Sequence, residues 1–362
     1  MIRHWPHVLA GVVCLMAAGR VLAQSNEAGV RVADPLVIAK CGSCHKSDER
    51  GNMERISFSR TTPEGWQAVL KDMILVHGLA LQPEEARAIV KYLSTAHGLS
   101  PEEARPVLYD AERRLHEETS IPSDRLKLAC ARCHAFARAL EWRRSAEEWK
   151  QFAESHAAKY KVKPADSAEA IAFLTKAAPL HTPEWDAWKS RGAEGLAGRW
   201  LVTASLAGHG LYYGEAQLER TGEDELNARV TLTSVKDGSK LVRAGRSVVY
   251  GGSAWRGRSK GDASAAPDDP RSEALEVMWF APDQKNGEGR WFWGQYQEFG
   301  FDVKLQREPG GDAPVLLLTD RPALKIGSRG NRVRLIGENL GRVRAGDLDL
   351  GAGVAVSKFV SA

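Results

Sequence analysis

The sequence predicts a multidomain chain that is α-helical in its first half and built of antiparallel β-strands in its second. Its 362 residues are more than one ordinary domain contains, which suggests two or three domains. From about residue 30 to 190 the chain is rich in Ala, Glu, Lys and Arg, whereas Gly, Thr and aromatic residues dominate after Trp188. The first half also contains an internal repeat, which predicts two similar helical units.

Residues 1–23 are predicted to be a secretory signal peptide. Arg3 and His4 precede an apolar run over 8–18, and small residues stand just before Gln24. The mature chain is therefore expected to begin near Gln24 and to be periplasmic. The apolar run is shorter than the ~20 residues that cross a bilayer, so no membrane span is predicted. An uncleaved anchor is the alternative.

The cysteines point to a covalently attached cofactor. Cys14 would leave with the signal, and the other four stand in two C-x-x-C-H motifs. These motifs are Cys41-Gly42-Ser43-Cys44-His45 and Cys130-Ala131-Arg132-Cys133-His134. An exported protein could form disulfides, so thiols confined to these motifs predict covalent haem attachment. Loss of the signal also lowers the formal charge of +4 by two, which gives no argument for nucleic-acid binding.

Haem chemistry accounts for each position of the motif. The two thiols form thioethers with the haem vinyl groups, and the adjacent His is held where its Nε2 reaches the iron. A redox-active cysteine pair or half a zinc site is the rival interpretation, which the appended His, the signal and the duplication disfavour. The sequence therefore predicts two covalently bound haem c groups, attached by Cys41, Cys44, Cys130 and Cys133, with proximal ligands His45 and His134.

The internal repeat follows the two motifs. Thr62-Pro63-Glu64-Gly65-Trp66 and Ser145-Ala146-Glu147-Glu148-Trp149 each open a helix with a hydroxyl cap and an acidic first turn. Seven residues after the Trp stand Met73 and His156, and a further helix closes each half. This is the order of a small cytochrome c fold. We therefore expect tandem c-type cytochrome modules at about 30–110 and 111–190, forming a dihaem domain over 24–190.

The sixth iron ligands are expected to differ between the two haems. Without the signal the chain contains Met53, Met73 and Met278, and none of them lies in the second haem half. We predict Met73 as the ligand of the first haem. His156 stands at the matching place in the repeat and is predicted as the ligand of the second.

Other residues remain candidates for these positions. His77 and Met53 are alternatives at the first haem, and His181 is the alternative at the second. His97 and His116 lie between the haem units and are interpreted as surface residues.

Unequal ligation predicts unequal reduction potentials. Methionine raises the haem potential relative to a second histidine, so electrons are expected to pass from the second haem to the first. With both sixth positions filled, neither iron has an open site for a substrate. We therefore predict electron transfer by this chain, with no catalytic residue of its own.

Residues 195–308 are predicted to form an antiparallel β-barrel-like domain. Ala228, Val230 and Leu232 alternate with polar residues, which is the period of a half-buried strand. Asp237-Gly238 predicts a hairpin turn, and 261–272 a polar loop. The candidate strands are 200–206, 211–218, 227–235, 247–250, 274–280, 290–296 and 301–305.

Residues 312–362 follow Pro309-Gly310-Gly311 and are predicted to form a partial immunoglobulin-like β-sandwich, because the segment 333–340 has strand candidates on either side. About 50 residues remain there, whereas such a sandwich usually needs ~100. Either the chain is truncated at its C-terminus or a partner completes the domain.

A specific order of motifs runs along nearly the whole mature chain. The motifs are 62–66 with Met73, His77-Gly78-Leu79, Glu84-Glu85-Ala86-Arg87, the 130–134 haem motif with Trp149, Gly198-Arg199-Trp200 and Tyr212-Tyr213-Gly214. This order resembles the haem-carrying alpha subunit of quinohemoprotein amine dehydrogenases. The C-x-x-C-H motif alone is generic, but the order of the pieces is specific.

The resemblance implies partners and a reaction. In that family the haem subunit pairs with a β-propeller subunit and with a small subunit carrying a quinone made from its own Cys and Trp. Primary amines are oxidised at the quinone, and electrons leave through two haems to a soluble copper protein or cytochrome c. Here every cysteine of the mature chain lies in a haem motif, so the amine chemistry would reside in a partner.

Two other functions remain open at this stage. One is a free-standing dihaem enzyme of the peroxidase type, in which one iron loses its sixth ligand. The other is a haem sensor or binding module built around the β-domains.

Overall fold

A computed structural model of the chain describes residues 27–107, 121–189, 194–295, 298–321, 323–351 and 353–360. The predicted signal peptide and His116 lie outside these residues. Within the described ranges, no helix combines the length and the apolar character that crossing a membrane requires.

The first helical unit contains four helices and one short strand. They are α1 Pro35–Cys41, β1 Ser59–Thr61, α2 Pro63–Leu75, α3 Pro83–Ala96 and α4 Pro101–Ala104. All four helices begin with proline, whose fixed φ suits the first helical position. The Thr62 hydroxyl caps α2 by accepting a hydrogen bond from the Gly65 amide at 3.1 Å. The cap predicted from the sequence is thus present.

The second helical unit follows the same order. It contains α5 Asp124–Cys130, α6 Ala137–Leu140, β2 Trp142–Arg144, α7 Ala146–Tyr160, α8 Pro164–Ala177 and α9 Pro183–Trp188. Ser145 caps α7 as Thr62 caps α2, through a bond from the Glu148 amide at 3.2 Å. The capping hydroxyl and the acidic first turn explain why both helices begin where the repeat predicts.

An approximate two-fold axis relates the two units. Strands β1 and β2 pair antiparallel with Arg60 opposite Arg143, and each of these arginines stands two residues before its helix cap, Thr62 or Ser145. Equivalent positions of the repeat therefore face each other. An antiparallel pair that matches a residue with its own counterpart places a two-fold axis between them.

The hydrogen bonds on either side of this axis also match. Trp66 Nε1 donates to the His97 carbonyl at 2.9 Å, and Trp149 Nε1 donates to the Ala178 carbonyl at 2.7 Å. His97 and Ala178 are the C-cap residues of α3 and α8, directly after the last helical residue. The same two carbonyls also accept from the backbone amides that end β1 and β2, at 3.1 and 3.2 Å. Both tryptophans thus hold the capped helix against the closing helix of their unit.

A buried ion network lies at the axis. The Arg60 side chain is fully buried and makes two bonds of 2.8 Å to the carboxylate of Glu103. Arg143 Nε lies 3.3 Å from the same carboxylate, and the Thr182 hydroxyl donates to it at 2.9 Å. Arg60 also donates to the Leu180 and Gly98 carbonyls. One carboxylate therefore balances two arginines that equivalent positions of the repeat bring together.

Eight antiparallel strands form a closed barrel after the helical region, which confirms the predicted barrel. The strands are β3 Gly198–Leu206, β4 Gly210–Arg220, β5 Glu225–Ser234, β6 Lys240–Tyr250, β7 Ala254–Lys260, β8 Ala274–Phe280, β9 Asn286–Trp293 and β10 Phe299–Arg307. Each pairs with the next along the chain, and β10 pairs with β3 to close the sheet. Aromatic side chains such as Trp200, Phe280 and Phe301 fill the interior.

The predicted Asp237-Gly238 turn is present in the barrel, whereas one of the strands was not predicted. Gly238 has a φ of 74° in the turn between β5 and β6, a conformation that glycine adopts without strain. Strand β7 was not predicted. Its basic residues at 256, 258 and 260 alternate with Gly257 and the buried Ser259, so the other face of the strand lacks the apolar side chains that mark a barrel strand.

The barrel packs on the helical region through an apolar cluster and an ion pair. The cluster contains Leu99, Ala104, Val107, Ala137, Ala254 and Trp279. Arg256 of β7 pairs with Glu64 in the first turn of α2, with its Nη2 2.9 Å from the carboxylate. This contact places the barrel beside the N-terminus of the helix that carries Met73.

The predicted immunoglobulin-like sandwich is not confirmed. In the described residues beyond 312, the strands are β11 Val315–Thr319 and β12 Leu335–Glu338, which form one two-stranded sheet. Glu338 ties this sheet to the barrel by accepting from Arg199 at 2.5 Å. Strands this short bury little apolar surface, and Ile326 between them is 99% exposed. Two packed sheet faces therefore do not form here.

Replacing Glu103 tests the ion network. Glu103→Gln removes the negative charge but keeps the side-chain shape, so Arg60 and Arg143 become buried cations without a counter-charge. We expect the free energy of unfolding of the helical region to fall by about 3–5 kcal/mol in guanidinium denaturation followed by helix circular dichroism. The matched control is Glu102→Gln, because Glu102 is the exposed neighbour. The control should change stability by less than about 0.5 kcal/mol. Equal stabilities for the two variants would contradict this account.

The effect should depend on pH. Burial alone would raise the pKa of Glu103, but hydrogen bonds from Arg60 and the charges of Arg60 and Arg143 outweigh it and hold this pKa below its usual value of 4.5. A lowered folded pKa adds stability that is complete above the unfolded pKa and is lost as pH falls through the folded one. The stability gap between wild type and Glu103→Gln should therefore narrow below about pH 4.5.

Candidate haem sites

The second helical unit brings two histidine rings close together, with the edge of one directed at the other. The ring centroids of His134 and His156 are 6.4 Å apart, with an angle of 75° between the ring planes. Two metal–nitrogen bonds of about 2.0–2.1 Å, plus roughly 1.1 Å from each nitrogen to its ring centre, span about 6 Å. The separation therefore fits one iron between the two rings.

The surroundings of both rings suit metal binding. His134 Nδ1 lies 3.0 Å from the Ala135 carbonyl, which leaves Nε2 as the nitrogen available to a metal. His156 lies among aromatic rings on α7, 5.7 Å from Phe152 and 4.6 Å from Tyr160. Burial lowers the pKa of His156, as do the charges of His134 and Lys159. These conditions favour the neutral imidazole, the form that binds metal.

The structure does not bring His181 to this site. Its Nε2 lies 2.5 Å from the Ala28 carbonyl, and its ring packs on Trp185 at 5.7 Å. Both contacts hold the ring against the N-terminal segment and α9. His156 is therefore the histidine that the geometry favours opposite His134.

The surface interpretation of His97 is wrong. This residue ends α3, and its side chain is fully buried between the rings of Trp66 and Tyr92, each 6.1 Å away. Burial lowers the pKa of His97 to about 4, and the charge of Arg60 contributes. The position was interpreted as surface because it lies between the two haem units in sequence, but Trp66 and Tyr92 of the first unit enclose its ring.

The first C-x-x-C-H motif folds as a tight turn at the end of α1. The amides of Cys44 and His45 both donate to the Cys41 carbonyl, at 3.2 and 2.9 Å. His45 Nδ1 lies 3.1 Å from the Glu54 carbonyl, so Nε2 is again the nitrogen available to a metal. Both histidines of the two motifs are thus oriented by a backbone carbonyl.

Met73 lies on α2 at the place that His156 occupies on α7. Each stands eleven residues after its helix cap, Thr62 or Ser145. Met73 is half-buried, whereas Met53 is fully buried in the core of the first unit. His77 is exposed and lies beyond the end of α2. The repeat geometry therefore favours Met73 over these two alternatives.

The two thiols of each motif differ in exposure. Cys41 and Cys130 are half-buried at the ends of α1 and α5, and Cys44 and Cys133 are exposed. Burial raises the pKa of the Cys130 thiol to about 11. Across the described ranges, no three His, Cys, Asp or Glu side chains gather as a metal site. The arrangement leaves each thiol pair accessible for thioether formation.

Apolar side chains are exposed on the helices that carry these residues. In the helical units as described, the exposed large apolar residues are Ile38 on α1, Ile74, Leu75 and Val76 at the end of α2, Leu128 on α5, and Phe152 and Tyr160 on α7. These are the helices of the two motifs and the two candidate sixth ligands. An apolar macrocycle with iron at its centre fits such surfaces, so the residues present fit haem at both sites.

The sequence interpretation missed the residues at the axis. Arg60, Glu103 and Arg143 were not identified as a group. Extending the repeat upstream of the caps would have aligned Arg60 with Arg143 and indicated the pair. Glu103 has no counterpart in the repeat, and only the fold brings it to the two arginines.

Comparison with known proteins identifies related sequences for both regions. A family model described as quinohemoprotein amine dehydrogenase A, alpha subunit, haem binding, matches residues 31–172. A second, described as quinohemoprotein amine dehydrogenase, alpha subunit domain II, matches residues 193–308. Together they cover most of the chain. A search of curated proteins finds no match.

Solved structures similar to this chain include redesigned β-barrels. The barrel mFAP1 bound to DFHBI is 18% identical, covers 33% of this chain and 100% of its own, and has a TM-score of 0.27. EF1p2_mFAP2b bound to DFHBI is 17% identical, covers 33% of this chain and 98% of its own, with the same TM-score. At these TM-scores the likeness carries no argument about function.

The matching tryptophan bonds give a test of the repeat. Trp66→Phe and Trp149→Phe each remove one indole N–H bond to the carbonyl that ends the closing helix. We expect both to lower the free energy of unfolding by about 1 kcal/mol more than a control with the same loss of volume. Trp279→Phe is that control, because Trp279 is buried and its Nε1 has no hydrogen-bond partner in the described structure. If Trp66→Phe and Trp149→Phe lower the free energy of unfolding by clearly different amounts, the two units are not equivalent.

Proposed function

Because this chain belongs to the quinohemoprotein amine dehydrogenase alpha-subunit family, we propose that it is the periplasmic dihaem cytochrome c subunit of such an enzyme. The family is that of the haem subunit, which implies a role in electron transfer. The observation that carries the proposal is the facing pair His134 and His156, whose separation fits one iron.

The chain's own residues would hold two haems. Cys41 and Cys44 would form thioethers at the first site and Cys130 and Cys133 at the second, with His45 and His134 as proximal ligands. Met73 and His156 would complete the two sites, each in a tandem cytochrome module. When bound, haem supplies a one-electron iron couple. Ligation by the Met73 sulfur at the first site and by a second imidazole at the other would give the first haem the higher reduction potential.

The amine chemistry would belong to partners. All four cysteines that remain after the predicted signal lie in the haem motifs, so none is free to build a quinone. We propose a β-propeller subunit and a small quinone-bearing subunit as partners, and a soluble copper protein or cytochrome c as the electron acceptor. The signal over 1–23 supports export to the periplasm, where such acceptors reside.

Replacing the candidate sixth ligands tests the haem assignment. His156→Ala should convert one of two low-spin haems into a five-coordinate, high-spin haem in the absorption and electron paramagnetic resonance spectra. His181→Ala is the matched control and should leave both haems low-spin, since His181 contacts Ala28 and Trp185 instead. A high-spin haem in His181→Ala, with both haems low-spin in His156→Ala, would identify His181 as the ligand. A wild-type protein with one five-coordinate haem and peroxide turnover would favour the peroxidase-type alternative.

Purification from the native periplasm tests the subunit assignment. The tagged chain should bring down two further polypeptides, one of them small and cysteine-rich, and primary amine should reduce the haems of this complex. A double variant that lacks both Cys130 and Cys133 should keep the partners but lose half of the haem absorbance. Isolation of the chain alone, with no haem reduction by any primary amine, would contradict the proposal.

A further inference from the structure

Arg144 is a cation enclosed by aromatic rings beside the second haem site. It ends β2, and its guanidinium carbon lies 4.2 Å from the ring centroid of Trp142, 4.9 Å from that of Phe152 and 5.5 Å from that of Trp149. Such contacts hold a guanidinium flat against apolar surface. They do not replace the negative charge that a buried cation needs.

Among the described residues, the hydrogen bonds of Arg144 leave its charge without a paired carboxylate. One Nη1 bond of 3.0 Å goes to the Ser59 hydroxyl, and Nε is buried without a hydrogen-bond partner in the described part of the chain. The carboxylate that acts on it, Glu148, lies 3.8 Å from Arg55 and is paired there. Burial lowers the pKa of Arg144 to about 10. The adjacent Arg143 differs, because Glu103 balances its charge.

One aromatic side chain separates this cation from the candidate iron ligands. Phe152 touches Arg144 on one side and lies 5.7 Å from the His156 ring on the other. His156 in turn faces His134 at 6.4 Å. One aromatic ring, that of Phe152, therefore lies between the guanidinium and the histidine that would hold a haem together with His134.

We propose that Arg144 binds a propionate carboxylate of the haem held by His134 and His156 and raises the reduction potential of that haem. The inference rests on the proposed function, because it needs the haem at this site. A carboxylate is the anion that a planar guanidinium binds best, through paired N–H bonds. A fixed cation favours the iron state with the lower positive charge, which is the reduced one. Arg144 is a positioning residue, since it acts on the iron through the haem edge.

The test is a potentiometric titration of the isolated haem-loaded chain. Arg144→Gln keeps a polar side chain of similar length but removes the charge. At a fixed applied potential, the reduced-to-oxidised ratio of the second haem should fall about tenfold, which corresponds to about 59 mV for one electron. The second haem is the component whose low-spin spectrum disappears in His156→Ala. The first haem should shift by less than twofold.

Arg138→Gln is the matched control. Arg138 lies on α6 four residues after His134 and is exposed, so this variant loses the same charge from the same unit. Its second-haem ratio should change by less than twofold, because water screens an exposed charge. If the reduced-to-oxidised ratio of the second haem changes by less than twofold in Arg144→Gln, as in the control, the proposal is overturned.

Arg144→Lys covers the case in which the glutamine variant does not keep its haem. Lysine retains the charge, so a loaded variant with a ratio within about threefold of wild type supports the proposal. A tenfold fall despite the retained charge would overturn it, as would loss of the second haem in both variants while the first is kept. The haem content, measured as the pyridine haemochromogen, separates failure of this proposal from failure of the proposed function. If wild-type protein carries no haem, the proposed function itself fails.

Discussion

The buried contact of Arg60, Glu103 and Arg143 is the constraint on which the helical half depends. Antiparallel pairing of β1 with β2 brings two arginines at equivalent positions of the repeat together in a site that excludes water. Their repulsion would separate the units unless an anion lay between them. The Glu103 carboxylate accepts from Arg60 and from the Thr182 hydroxyl, so its oxygens are well satisfied despite their burial. The join between the units is thereby specific, because any other register would leave these charges unpaired.

This join also fixes the candidate haem ligands. Each strand leads within two residues into a helix cap, and the candidate sixth ligand follows eleven residues later on the same helix. The Trp66 and Trp149 bonds then hold those helices against the closing helices. A rigid route therefore runs from the axis to Met73 in one unit and to His156 in the other. Electron carriers gain from such rigidity, because a ligand frame that does not move between oxidation states keeps the reorganisation small.

Local chemistry made part of this structure predictable from the sequence. The turn of the first C-x-x-C-H motif, the Thr62 and Ser145 caps and the Asp237-Gly238 turn all depend on residues close together in the chain. Strand β7 was missed because Gly257 and Ser259 stand where apolar residues would mark a barrel strand. His97 was misplaced because only the folded packing of Trp66 and Tyr92 buries it. The place of Glu103 between Arg60 and Arg143 depends on contacts over about 40 residues of sequence, which a single sequence does not show. The sandwich was inferred from one strand pattern near 333–340, and the surrounding chain forms only a two-stranded sheet.

The central claim is that two equivalent units each hold one covalently attached haem. The intact mass of the protein exported by a host with cytochrome c maturation, measured under denaturing conditions, tests this most directly. The account predicts the mass of the signal-free polypeptide plus two haem groups, with one group lost when Cys41 and Cys44 are both replaced by alanine. A mass equal to the bare polypeptide, or one haem that survives that replacement unchanged, would contradict it.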